Sequence, residues 1–81
     1  MEDAALLTRI TEIFRDVLHD PAIELTPATC PDDLPAWDSL AQISLAVEAE
    51  CRFAIEFEAR EVEQLHDVAG LIRLIRAKST A

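Results

Sequence analysis

Residues 35–42 read Pro35-Ala36-Trp37-Asp38-Ser39-Leu40-Ala41-Gln42, and the reading of this stretch decides the fold. Ahead of it, all four prolines of the chain, Pro21, Pro27, Pro31 and Pro35, fall between Asp20 and Asp38. Missing amide donors and fixed φ angles exclude a continuous helix there, so the segment is one long connection. From Ser39 onward proline is absent, and Leu40, Ile43, Leu45, Ala46, Val47 and Ala49 put apolar surface on more than one side of a helix running to about Arg52. Ser39-Leu40-Ala41-Gln42 matches the S-x-x-Q capping box, in which the serine hydroxyl and the glutamine amide satisfy orphan amides at a helix start. A helix apolar on more than one side exceeds what one core can cover, and Leu40 and Val47 are the residues expected to face a partner.

Upstream, from Ala4 to His19, Leu6, Ile10, Ile13, Phe14, Val17 and Leu18 share one helical face, with Thr8, Arg9, Thr11, Glu12, Arg15 and Asp16 on the other. The connection that follows is long for so small a domain, and such segments are often functional or disordered. Ile23, Leu25, Leu34 and Trp37 argue for an ordered one, packed across the bundle, with a short turn of helix near Pro31 to Leu34. Downstream, Phe53-Ala54-Ile55-Glu56-Phe57 alternates as a strand would, but no second strand signal exists to pair with it, so an extended linker with buried anchors is expected. Glu58 to Leu65 allows a short third helix. Asp67 caps a fourth, in which Val68, Leu71, Ile72 and Ile75 repeat at helical spacing and Arg73, Arg76 and Lys78 suit the negative C-terminal end. The expected fold is all-α: a four-helix bundle over residues 1–81 as a single domain, with a long loop between helices 1 and 2 and a short helix 3.

Eighty-one residues support one modest core and no deep catalytic cleft, so any chemistry here needs a partner. One Gly, no Tyr and 5% aromatics against 51% hydrophobic residues favour a compact helical domain. Sixteen Asp and Glu against seven Lys and Arg give a net charge of -9, which repels nucleic acid and anionic membrane surfaces. Basic patches on proteins are the natural partners of such a surface, although acidity also serves solubility alone. The two cysteines, Cys30 and Cys51, lack metal-ligand or scaffold spacing and read as free thiols in a reducing cytoplasm. MEDAALLTRI lacks a basic segment followed by an apolar run, and no segment approaches membrane-spanning length.

Cys30, Cys51, His19 and His66 carry no local signature of a nucleophile pair or metal site. Glu56, Glu58, Glu61 and Glu63 lack the calcium-loop pattern and read as a solvated acidic face; Asp32 and Asp33 read as loop solvation. Ser39 carries two competing readings. A cap explains it fully, yet a serine at the positive end of a helix, reached from a long ordered loop, is also exposed and placed to carry a phosphate ester. Local physics alone favours the cap.

The run Leu34-Pro35-Ala36-Trp37-Asp38-Ser39-Leu40, followed by an acidic amphipathic helix ending near Phe53 and Ile55, resembles acyl carrier proteins, whose Asp-Ser-Leu motif carries 4'-phosphopantetheine. The resemblance covers almost the whole chain, including Glu61-Val62-Glu63-Gln64-Leu65 and Val68-Ala69-Gly70-Leu71-Ile72 where that family has helices 3 and 4. It implies that Ser39 is the attachment point and attacks coenzyme A in a reaction performed by a separate phosphopantetheinyl transferase. It implies too that Asp38 helps bind the transferase's magnesium, and that Leu40 lies beside the arm and contacts partner enzymes. The reactive thiol then belongs to the arm, not to Cys30 or Cys51.

Ala36 and Ala54 stand where many members have Gly. Ser44, Val47 and Cys51 occupy positions where fatty-acid carriers often present Glu, Met and another acid, which weakens the usual docking stripe, with Glu48 and Glu50 still supplying charge. Ser44, Val47 and Glu48 therefore join Asp38 and Leu40 as expected recognition residues. The resemblance implies a monomeric carrier, not an enzyme, that tethers acyl, aminoacyl or polyketide intermediates as thioesters. Its expected partners are the transferase and acyltransferase, ketosynthase or adenylation-type loading enzymes, in polyketide, nonribosomal peptide or related specialised biosynthesis. The alternative is a carrier-like bundle that never receives the arm and binds a basic helix through its acidic face.

Overall fold

The structure is a computed structural model that describes residues 2–79. Four α-helices follow in order: α1 (Asp3–Val17), α2 (Ser39–Phe53), α3 (Ala59–Glu63) and α4 (Val68–Ser79), with a 3-10 turn at Pro31–Asp33 inside the long loop. No strand occurs among the described residues. Among the described residues no helix is long and apolar enough to cross a membrane. α1 packs against α2 and α4, and α2 packs against α3.

The core follows the periodicity. Ile10, Ile13 and Phe14 of α1 and Val68 and Ile75 of α4 are fully buried, and α2 adds Leu45, Ala46 and Ala49. Small alanines at a helix contact let the neighbouring helix approach closely. Ile23, Leu25 and Trp37 are buried too, so the long loop is ordered by apolar anchors, each removing side-chain surface from water for about 1.5–3 kcal/mol. Trp37 meets Phe14 edge-to-face, centroids 5.0 Å apart at 90°, a geometry that adds about 0.5–1.5 kcal/mol beyond burial.

Polar ties complete the loop. Arg15 Nε donates to Ile23 O at 2.8 Å, and the buried Thr29 hydroxyl accepts from Thr26 N–H at 2.9 Å. The loop then closes α4: Val68 N–H donates to Thr29 O and Ala69 N–H to Pro27 O, both at 2.9 Å, while Asp67 Oδ1 accepts from Gly70 N–H at 2.7 Å. Asp67 is therefore the cap that the sequence predicts.

Helix ends depart from expectation where the backbone turns left-handed. α1 stops at Val17, short of His19, because His19 enters φ 55° and Asp20 N–H reaches back to Arg15 O at 3.1 Å. α2 ends the same way: Ala54 takes φ 56°, and Ile55 N–H donates to Glu50 O at 3.1 Å. Phe53 belongs to that last helical turn and not to the linker, with the Arg9 guanidinium 4.4 Å over its ring. Ile55 and Phe57 pack against the core as linker anchors, half-buried where buried ones were expected.

α3 has five residues where Glu58 to Leu65 was expected. It is held less by burial than by polar ties. Glu61 Oε1 accepts from Glu58 N–H at 2.7 Å and faces Lys78 Nζ at 2.8 Å, while Arg60 pairs with Glu58 at 2.9 Å. The acidic cluster is thus partly a structural staple and not a wholly solvated face. The Glu58 N–H, and after it Lys78, holds the Glu61 carboxyl below the usual glutamate range.

Candidate functional site: the head of helix α2

Two adjacent cap-forming residues compete for the start of α2, and Asp38 wins. Its backbone is extended, its Oδ1 accepts from Ala41 N–H at 2.8 Å, and its carbonyl accepts from Gln42 N–H at 2.9 Å. A carboxylate is the stronger acceptor, and its charge suits the positive helix end. The S-x-x-Q box expected from the sequence does not form. Ser39 is the first helical residue, and Gln42 turns elsewhere: its Oε1 accepts from Trp37 Nε1 at 3.2 Å, and its Nε2 donates to Val62 O.

With Asp38 as the cap, the Ser39 hydroxyl is left free. Ser39 is exposed, and among the described residues neither its Oγ nor the N–H groups of Ser39 and Leu40 have a hydrogen-bond partner. Asp38 keeps Oδ2 open beside them. A free hydroxyl next to two unengaged N–H donors at a helix N-terminus fits a phosphate ester: one group forms the bond, and the others meet its charge.

A groove of about 470 Å³ opens at this point, lined by Trp37, Asp38, Ser39, Gln42, Ile43 and Val62 among others. A second groove of about 310 Å³ continues between α2 and α3 past Val47, Glu50 and Phe57, with Ile43, Val62 and Glu63 shared between the two. A groove of about 390 Å³ between α1 and α4 shares no residue with them and contains no hydroxyl or thiol.

Leu40 and Val47 are exposed as expected, at 74% and 51%, and Ile43 joins them at 57%. The sequence signal for Ile43 was present, an apolar residue on a helix with apolar residues all round, but which residues face outward depends on where α3 lies. Ser44 is exposed beside them. Glu48 is engaged, with Oε1 at 2.8 Å from Arg52 Nε; Arg52 also meets Asp16 at 2.6 Å. Asp16 first, and Glu48 second, push the Arg52 pKa further up. Glu50 Oε2 accepts from Phe57 N–H at 2.8 Å. Cys30 and Cys51 are free thiols, His19 and His66 are exposed, and no three His, Cys, Asp or Glu among the described residues are grouped to hold a metal.

An unengaged hydroxyl at the head of a helix, beside two open N–H groups and a groove, is placed to take up a phosphate ester. The comparisons agree. The family model for the phosphopantetheine attachment site matches residues 8–75. The solution NMR structure of holo acyl carrier protein from Geobacter metallireducens is similar at 38% identity and TM-score 0.84, covering 91% of this chain and 85% of that one. The crystal structure of acyl carrier protein from Thermotoga maritima shares the fold at TM-score 0.86 and 24% identity, covering 96% and 91%. A search of curated protein sequences gives no match. The chain belongs to the acyl carrier protein family, with its phosphopantetheine attachment domain. Members of this family are carriers and not enzymes; they hold 4'-phosphopantetheine covalently and work with a phosphopantetheinyl transferase and acyl-handling enzymes.

Proposed function

We propose that Ser39 Oγ is the atom to which 4'-phosphopantetheine is attached, and that the loaded protein tethers acyl, aminoacyl or polyketide intermediates as thioesters for successive enzymes. The observation that carries this reading is the unengaged Ser39 hydroxyl in the first turn of α2, inside the matched region. In the transfer, Ser39 Oγ bonds to the pantetheine-bearing phosphorus of coenzyme A, and that phosphorus loses its bridging oxygen. Adenosine 3',5'-bisphosphate departs, and the hydroxyl proton passes to the transferase or to water. The phosphodiester keeps one negative charge, which the α2 N-terminus stabilises by about 0.3–1 kcal/mol. Asp38 Oδ2 is open to the transferase's magnesium, since only Oδ1 is held by the cap. Tethering raises the local concentration of the cargo and restricts its reach.

The expected outcome on incubation with coenzyme A and a broad-specificity transferase is a mass gain of one phosphopantetheine on the intact protein and none on Ser39→Ala. An equal gain on Ser39→Ala sinks the assignment. We propose further that the carrier serves a specialised pathway, polyketide, nonribosomal peptide or related, which the uncharged Ser44, Val47 and Cys51 on α2 support. Loading and elongation by a housekeeping fatty-acid synthase as fast as on that synthase's own carrier counts against this.

A further inference from the structure

The Gln42 amide stands between two groups of opposite demand. Trp37 Nε1–H can only donate and Val62 O can only accept, so the amide turns Oε1 to the indole, at 3.2 Å, and Nε2 to the carbonyl. The backbone adds to this: Gln42 N–H donates to Asp38 O and Trp37 N–H to Leu34 O, both at 2.9 Å. Residues 37–42 are therefore closed on themselves from both ends, with Asp38 and Ser39 inside the closure. Through the indole, buried on Phe14, the closure is fixed to α1, and through Val62 it is fixed to α3. None of the five residues of α3 is fully buried, yet its Val62 and Glu63 wall the groove that holds Ser39. Lys78 ties α3 to α4 through Glu61 at 2.8 Å, and Gln42 ties it to α2 at the groove itself.

We infer that Gln42 is a positioning residue for attachment of the arm: it fixes the turn that presents Ser39 and sets the α3 wall opposite, without itself touching coenzyme A or the transferase. This rests on the reading of Ser39 as the attachment site. With the closure open, Asp38 and Ser39 spread over several poses, and a transferase that accepts one of them binds more weakly in proportion to the fraction in that pose. Once bound, the pose is the same and the transfer step keeps its rate. The signature is a raised KM with kcat unchanged. A direct contact between Gln42 and the transferase would raise KM too, and Trp37 separates the two cases. That residue is 4% exposed and its indole N–H is already taken by Gln42, so removing the N–H disturbs the closure and no partner contact.

The test is arm transfer from coenzyme A by a broad-specificity transferase, measured against carrier concentration for wild type, Trp37→Phe, Gln42→Met and the double variant, below the melting transition of each. Gln42→Met alone strands a buried indole N–H and weakens the fold. The double variant strands none, since Val62 O keeps the Leu65 N–H at 3.2 Å, so it keeps the comparison valid. The double variant is expected to raise KM about tenfold with kcat within about twofold, and Trp37→Phe alone to raise KM about threefold. Gln42→Met should add less on Trp37→Phe than on wild type, because one of its two bonds is already gone. Amide hydrogen exchange should quicken in α3 and residues 38–42 and hold steady in α1 and α4. A wild-type KM in the double variant, or a loss carried by kcat, overturns the inference. So does a Trp37→Phe variant equal to wild type beside a Gln42→Met variant with raised KM, which would give Gln42 to direct contact. No transfer to wild type under any condition removes the attachment reading itself, and this inference with it.

Discussion

α2 and α4 begin under the same rule and are finished differently. Every helix leaves its first N–H groups without an intrahelical partner. At α4 the chain closes them with the carbonyls of Thr29 and Pro27 and the carboxylate of Asp67. At α2 Asp38 serves Ala41 and Gln42 and leaves Ser39 and Leu40 open. One proline-rich loop thus supplies both outcomes. Residues 27–29 seal a structural helix start, and residues 35–38 deliver an incomplete one where another protein must work.

Substitutions at the two starts sharpen that contrast. Asp67→Ala strips a part-buried cap and is expected to cost about 1–2 kcal/mol in denaturant unfolding, because water replaces its bond to Gly70 poorly. Asp38→Ala exposes amides that water already reaches, and a smaller loss of about 1 kcal/mol or less is expected. A loss at Asp38 equal to that at Asp67 would show the two helix starts to be equally closed. At the far end of α2, Ala54→Gly relieves a left-handed alanine and is expected to raise stability by about 0.5–1 kcal/mol, the strain relief exceeding the added chain entropy; an unchanged or lower melting temperature refutes it.

Ser39→Ala is expected to shift stability by no more than about 0.5 kcal/mol, since the hydroxyl caps nothing; a loss near 1 kcal/mol would restore it as the cap. The smallest effect concerns pH. Glu61 titrates below its ordinary value in the fold, so its ionised form is favoured there, and its contribution is present above the ordinary glutamate range and is lost as pH falls through the lowered value. Glu61→Gln should therefore lose stability at neutral pH and converge on wild type in acid; parallel pH profiles of the unfolding midpoint would refute this.

Much of this was legible in the sequence. Apolar spacing placed α1, α2 and α4, the prolines marked the loop, its four apolar anchors predicted order, and Asp67 announced α4. The errors share a cause. Asp38 and Ser39 are both cap-forming residues, and S-x-x-Q fits a local motif, but Gln42 is drawn away by Trp37, just ahead of the box, and by Val62 on the distant α3. Glu48 and Glu50 read as surface charge because their partners, Arg52 with Asp16 and the Phe57 N–H, are fixed by tertiary approach. α3 is short because Glu58 is its extended cap and Leu65 N–H closes onto Val62 O in a turn that ends the helix. Local pattern found the helices; which hydroxyl is free and which carboxylates are engaged required the packed bundle.

Trp37 is the chain's only tryptophan, and there is no tyrosine. Its indole is buried on Phe14 and joined through Gln42 to the backbone of α3, beside Ser39. The molecule therefore contains its own optical gauge: emission from one chromophore reads, without a label, whether the loop, α2 and α3 remain fastened together at the place where cargo is handed over.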